Sequence, residues 1–168
     1  FLEVDAACTA LEATAKELDL GVTHNTGTHV HIGWMASDVR EVKRAVHLAR
    51  LFEPALATLV APSRIRSFDG AAYDLAAPNA YCRPVSSSLP LARLESITSL
   101  SQMLEVLADA DARYVTFNLR PMKRIQTAEV RMHHGTTDAR KILLWLSLWM
   151  QILWAAKERS KVPSVPDT

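Results

Sequence analysis

Cysteine is nearly absent. Cys8 and Cys82 are the two in 168 residues, and they stand in unrelated contexts, which leaves neither a disulfide framework nor a cysteine zinc site. That usage points to a reducing, cytoplasmic compartment. An excess of one charge is lacking too. Nineteen Lys and Arg against eighteen Asp and Glu give +1, and the basic residues are scattered, which argues against nucleic acid or a membrane surface as partner. The longest apolar run, over 142–156, falls short of the ~20 residues that cross a bilayer. No secretory signal opens the chain, and no internal repeat is found. An initiator Met is also missing, and Phe1-Leu2-Glu3 opens in mid-pattern, as a piece of a longer protein would. What remains is enough length for one domain with a sizeable core, expected over 1–161 with a flexible tail over 162–168.

The apolar periodicity places the helices. Val4, Cys8, Leu11, Ala15 and Leu18 form one stripe of a helix over 2–20, stopped at Gly21, with Glu3 and Asp5 in its first turn. Ser37 is the expected N-cap of a second helix to about residue 61, with Val39, Val42, Val46, Ala49, Phe52, Leu56 and Leu59 inward and a kink at Pro54. His47 falls off that stripe. Over 62–93 the periodicity disappears among Pro62, Gly70, Pro78, Pro84 and Pro90. A loop that long inside a domain tends to be a lid or a binding loop. This one carries Arg64, Arg66, Tyr73, Tyr81 and Arg83, as a mobile lid over an anionic ligand would. Ser99 and Gln102 form a capping box for a short helix, ended by the turn Asp109-Ala110-Asp111. Two antiparallel strands over 114–119 and 125–133 follow. A last helix over 138–159, capped at Thr137 or Asp138, is apolar nearly all round and reads as buried behind a sheet.

The chemistry begins at Thr26-Gly27-Thr28-His29-Val30-His31-Ile32-Gly33-Trp34. As a strand, this stretch puts His29, His31 and Gly33 on one face and Val30, Ile32 and Trp34 on the other. The imidazoles are then roughly 6.5–7 Å apart along the strand, and the glycines would let a ligand approach the backbone. The other reading is a half-exposed strand that carries two histidines without a ligand.

Glu129-Val130-Arg131 is the second informative motif. Thr127, Glu129, Arg131 and His133 would share a face opposite Ala128, Val130 and Met132. Glu129 and Arg131 are too far apart along an ideal strand for good mutual contact, and such a pair on a sheet often does no more than neutralise itself. Joined to the histidine strand, it makes a face of two imidazoles, a carboxylate and a guanidinium. Two His and one Glu suggest Zn, Mn or non-haem Fe. The forked guanidinium and the arginine-bearing loop pull instead toward a phosphoryl group.

The Gly-x-His-Val-His segment and, about a hundred residues later, Ala128-Glu129-Val130-Arg131-Met132-His133-His134-Gly135-Thr136-Thr137-Asp138 together resemble the amidoligase family. Its members are carboxylate–amine ligases of the glutamine synthetase and glutamate–cysteine ligase superfamily. Pro62-Ser63-Arg64, Asn79-Ala80-Tyr81-Cys82 and the strand over 114–119 match as well. The resemblance implies a curved antiparallel sheet on which ATP and Mg, or Mn in its place, activate an acid as an acyl phosphate for attack by an amine. It makes His29 and Glu129 ligands of one metal, His31 a contact to an ATP phosphate, and Arg131 the group that stabilises the transferring phosphoryl. Arg64 and Arg66 would assist on the cofactor. The family's acidic strands ahead of the histidine motif are not found here, and Glu3 and Asp5 stand in the wrong place for them.

The expected architecture is therefore α+β: an antiparallel sheet with helices packed on one face, resembling part of a glutamine synthetase-like catalytic domain. The expected activity is ATP- and Mg-dependent ligation of a small-molecule or peptide carboxylate to an amine. This piece is expected to be inactive alone and prone to self-association through exposed apolar surface. The rivals are a two-His-one-carboxylate Zn or Fe enzyme and a silent interaction domain that presents Trp145, Trp149 and Trp154 to a partner.

Overall fold

The computed structural model describes residues 2–68, 73–108 and 113–158. The proposed tail, Arg159 and the Asp109-Ala110-Asp111 turn lie outside them. Six α-helices and five strands occur among the described residues: α1 (Leu2–Glu17), β1 (Gly27–Gly33), α2 (Val39–Ala57), β2 (Arg66–Phe68), β3 (Tyr73–Pro78), α3 (Leu91–Ser96), α4 (Leu100–Leu107), β4 (Phe117–Asn118), α5 (Met122–Ile125), β5 (Thr127–His134) and α6 (Ala139–Glu158). The fold is α+β, as expected.

The main sheet is antiparallel in the order β1-β5-β4. Its helix-side face carries Ile32, Ala128, Val130 and Met132 into one core with Val42, Val46, Ala49, Trp145 and Trp149 of α2 and α6. Phe117 stacks on Trp149 with ring centroids 5.2 Å apart. The core is thus closed on one side of the sheet, and the opposite side is left for His29, His31, Glu129 and Arg131. No helix among the described residues is long and apolar enough to cross a membrane.

Several boundaries differ from the sequence expectation, each for a local reason. Asp19, not Gly21, ends α1. It takes the left-handed conformation at φ 50°, and Leu20 N–H then reaches back to the Ala15 carbonyl at 2.8 Å. Asp38, not Ser37, caps α2 by accepting from Arg40 N–H and Glu41 N–H, while Ser37 donates to the Glu41 carboxylate. Phe52 and Leu59 are exposed, and Leu48 and Ala45 are buried instead. The last helix is one-sided: Trp145 and Trp149 are buried, whereas Leu144 and Trp154 stand out to solvent. The segment over 62–93 is no unstructured loop. It holds the antiparallel pair β2–β3, α3, and two 3-10 turns at Pro62–Arg64 and Val85–Ser87. Pro62, Pro84 and Pro90 conceal such short elements from periodicity because each sits at the start of a helical turn. The strand expected over 114–119 is ladder-paired only at Phe117–Asn118, and Val115 bridges to Arg83 instead.

Candidate active site on the open sheet face

The site is built by register. β1 and β5 pair so that His31 stands opposite Glu129 and Ile32 opposite Ala128. Directly opposed residues on antiparallel strands share a face, so the histidine row and the Glu129 row meet. The two strands then slip: Val30 faces Val130 but Thr28 faces His133. Arg131 and Met132 together therefore stand opposite His29 alone, which is a β-bulge.

That bulge changes two sequence expectations. Beyond it the alternation is offset, so His133, paired with Thr28, turns to the helix side. Its ring packs edge-on against Trp145 at 5.0 Å, and it is not part of the open face. The bulge also tightens the local twist, and the long Arg131 side chain comes back onto its neighbour. Arg131 Nη1 donates to Glu129 Oε1 at 2.7 Å, a direct contact that an ideal strand would not give.

Glu129 is the centre of the arrangement. His29 Nδ1 lies 3.3 Å and His31 Nε2 3.8 Å from the same Oε1. The other oxygen, Oε2, accepts from Asn118 Nδ2 at 2.6 Å. Asn118 is only 1 % exposed and is itself oriented by the Arg120 N–H bonded to its Oδ1. Burial would push the Glu129 carboxyl up, but hydrogen bonds from His29 and Asn118 and the Arg131 guanidinium outweigh it and hold the group at about 2. Glu129 is thus a permanent anion at neutral pH, suited to holding cations and donors and unsuited to giving up a proton. Asn118 was missed at the sequence level. The available signal was a polar residue alternating with Val115, Phe117 and Leu119 on a core strand.

Next to this cluster lies a cavity of about 590 Å³. His29 and Arg131 line it, together with Arg64 and with His24, Asn25, Asn79 and Tyr81 among others. No carboxylate lines it among the described residues. His31 lies outside it, with Nδ1 on Thr127 Oγ1 at 3.0 Å.

The expected lid arginines are placed differently from each other. Arg66 starts β2. Arg64 is buried at 5 % exposure, and its Nη2 donates to the Arg131 carbonyl at 2.5 Å. It lies against Gly27, where an added Cβ would meet its guanidinium at 2.8 Å. The close approach expected at this glycine is therefore made by the chain's own arginine.

Among the described residues, the donor set alone falls short of a resident Mg site. Mg takes oxygen ligands, and this face offers one carboxylate beside two imidazoles. A cation on Glu129 Oε1 would also stand against the Arg131 guanidinium. Among the described residues, no group of three or more His, Cys, Asp or Glu side chains is arranged to hold a metal ion.

Neither a curated protein nor a solved structure matches the chain. A family match does cover the histidine strand, the Glu129–Arg131 strand and the helix behind them: residues 3–153 fit the family described as "putative amidoligase enzyme", and the chain belongs to that family.

Proposed function

We propose that this face serves an ATP-dependent carboxylate–amine ligase. In such a reaction the acid becomes an acyl phosphate as ADP leaves, and the amine then displaces phosphate to form the amide. The observation that carries the reading is Arg131, paired with Glu129 and standing with His29 in the wall of a cavity that no carboxylate lines among the described residues. Such a wall suits a phosphoryl group.

Arg131 has the central role. One arm of its fork is committed to Glu129, and the remaining donors are oriented by that bond. A planar fork held in place can grip two phosphoryl oxygens. Glu129 stays ionised and keeps the guanidinium aimed. His29 and His31 supply further donors along the sheet. Mg enters this proposal with its nucleotide as part of the substrate, and no step depends on a metal held by the protein. With a single carboxylate on the described face, the 168-residue chain is expected to bind nucleotide weakly and not to turn it over.

Calorimetric titration with ATP, with and without Mg, tests the reading. Expected is weak binding that Arg131→Lys reduces about tenfold or more, because lysine keeps the charge and loses the fork. Tight Zn binding without any nucleotide binding would overturn it in favour of a metal enzyme of the two-His-one-carboxylate kind.

A further inference from the structure

We infer that Arg64 is a positioning residue: seated on Gly27 and bonded to the Arg131 carbonyl, it latches the β5 bulge and so aims the Arg131 side chain at Glu129. The inference refines the role of the Arg131–Glu129 pair, and only its anion-binding arm rests on the ligase reading.

Three observations carry it. A bulge leaves a backbone group without its ladder partner, and buried backbone groups need one. At the bulge, the Arg131 carbonyl accepts from Arg64 Nη2 at 2.5 Å and receives the Cys82 thiol at 3.5 Å. The Arg131 N–H meanwhile goes to the Thr116 carbonyl at 2.9 Å. The backbone of Arg131 is thus held by Thr116, just ahead of β4, on one side and by Arg64 on the other.

Gly27 supplies the seat. A Cβ built there would lie 2.8, 2.9 and 3.0 Å from Nη1, Cζ and Nη2 of Arg64. Three nearly equal distances mean that the guanidinium lies face-on over the glycine. Arg64 is also tied in sequence to a 3-10 turn, since its N–H donates to the Ala61 carbonyl at 2.9 Å. The backbone from which its side chain reaches is therefore fixed. Gly33, at the far end of the same strand, has nothing within 4 Å of an added Cβ, so close approach is a property of one end of β1 only.

The two glycines make the experiment. Gly27→Ala would dislodge only the flexible end of Arg64, so the fold should survive, and Gly33→Ala is its control. Arg64→Lys keeps the charge but cannot cover the seat and reach the carbonyl in the same way. Two quantities are read on the 168-residue chain. One is the Glu129 carboxyl titration by carbon-detected NMR, assigned with Glu129→Gln. The other is the affinity for inorganic pyrophosphate. Glu95, which pairs with His47 on the helix side at 2.7 Å, reports whether the rest of the fold is intact.

Expected in both Gly27→Ala and Arg64→Lys is a Glu129 titration that moves up by about one pH unit or more, with Glu95 and Gly33→Ala unchanged. Pyrophosphate affinity should fall about tenfold alongside. A Glu129 titration that stays at its parent position in Gly27→Ala overturns the latch. So does a loss of pyrophosphate affinity in Arg64→Lys with Glu129 unmoved, because Arg64 would then touch the anion itself. If the parent binds no pyrophosphate but the titration still moves, the latch stands and the ligase reading is what fails.

Discussion

His31 and Glu129 stand directly opposite each other on antiparallel neighbours, with the imidazole Nε2 3.8 Å from the carboxylate Oε1. The same oxygen receives the Arg131 guanidinium and faces His29, while Asn118 holds the other one. A single buried carboxylate therefore organises four donor side chains from three strands. The charge state of Glu129 should be the property to which both stability and ligand binding respond most strongly.

The first prediction is an acid-side loss of stability. The Glu129 carboxyl ionises at about 2 in the fold, below its ordinary 4.5. As pH falls below about 4.5 the unfolded chain takes up this proton first, so the stabilisation is complete above that value. It is lost progressively as pH falls toward about 2. The contribution is on the order of 3 kcal/mol. Urea unfolding at pH 6 and pH 3 should show the drop, and Glu129→Gln should flatten that part of it. An unchanged acid slope in the variant would assign the loss to other groups.

Asn118→Ala should remove one buried hydrogen bond from each of Glu129 and Arg120, costing about 1–3 kcal/mol. Asn118→Asp should cost more, since a second carboxylate would face Glu129 and push both titrations up. Chemical denaturation ranks the two. Equal stability would mean that Asn118 does not hold the Glu129 carboxylate.

Period-two alternation made much of the open face legible. His29 with His31, and Glu129 with Arg131, were assigned to shared faces because strands alternate, and the structure brings the two pairs together. His133 was not legible, because a bulge is a matter of register between two strands and leaves no mark in one. The Arg131–Glu129 contact was hidden by the same bulge. Helix ends were misplaced where neighbouring residues could serve equally: Ser37 and Asp38 are both capping types, and an aspartate took the left-handed turn ahead of an available glycine. The sequence places Arg64 in a lid over an anionic ligand, and nothing local says that Gly27 comes to lie beneath its guanidinium.

Gly135→Ala should destabilise the protein by about 1–3 kcal/mol. An added Cβ would meet Thr26 Cβ at 2.5 Å and the Thr26 carbonyl at 3.1 Å, and the backbone cannot give way freely because Gly135 N–H bonds that carbonyl at 2.8 Å. Gly33→Ala should be neutral or stabilising by up to about 1 kcal/mol, since open space surrounds it and alanine restricts the unfolded chain. Thermal melts of the two variants should differ in sign or nearly so.

Two tryptophans of α6 separate core from surface. Trp149 is buried and stacked on Phe117, so Trp149→Ala should cost about 3–5 kcal/mol. Trp154 is 61 % exposed, and Trp154→Ala should change stability by no more than about 0.5 kcal/mol. The idea of Trp145, Trp149 and Trp154 as a common partner surface fails on burial, since the first two are in the core. Chemical denaturation checks the pair, and a large cost at Trp154 would show that this side chain is covered in solution.

Turnover is the last prediction. ADP release by the 168-residue chain, supplied with Mg–ATP and a broad set of acids and amines, should stay at background. The four charges of ATP need neutralising as the terminal phosphoryl moves, and positioning with charge neutralisation supplies most of the catalysis in such transfers. Arg131 and the two imidazoles can grip part of that charge. Carboxylates would have to hold the accompanying Mg, and the described face presents one, already bonded to Arg131 and Asn118. Imidazole nitrogen compensates poorly, because Mg prefers oxygen and gives up its water reluctantly. Background release from the chain alone, together with measurable nucleotide binding, is the expected pair of results. Robust Mg-dependent release that His29→Ala abolishes would show instead that one carboxylate suffices, with His29 and Glu129 sharing a working metal.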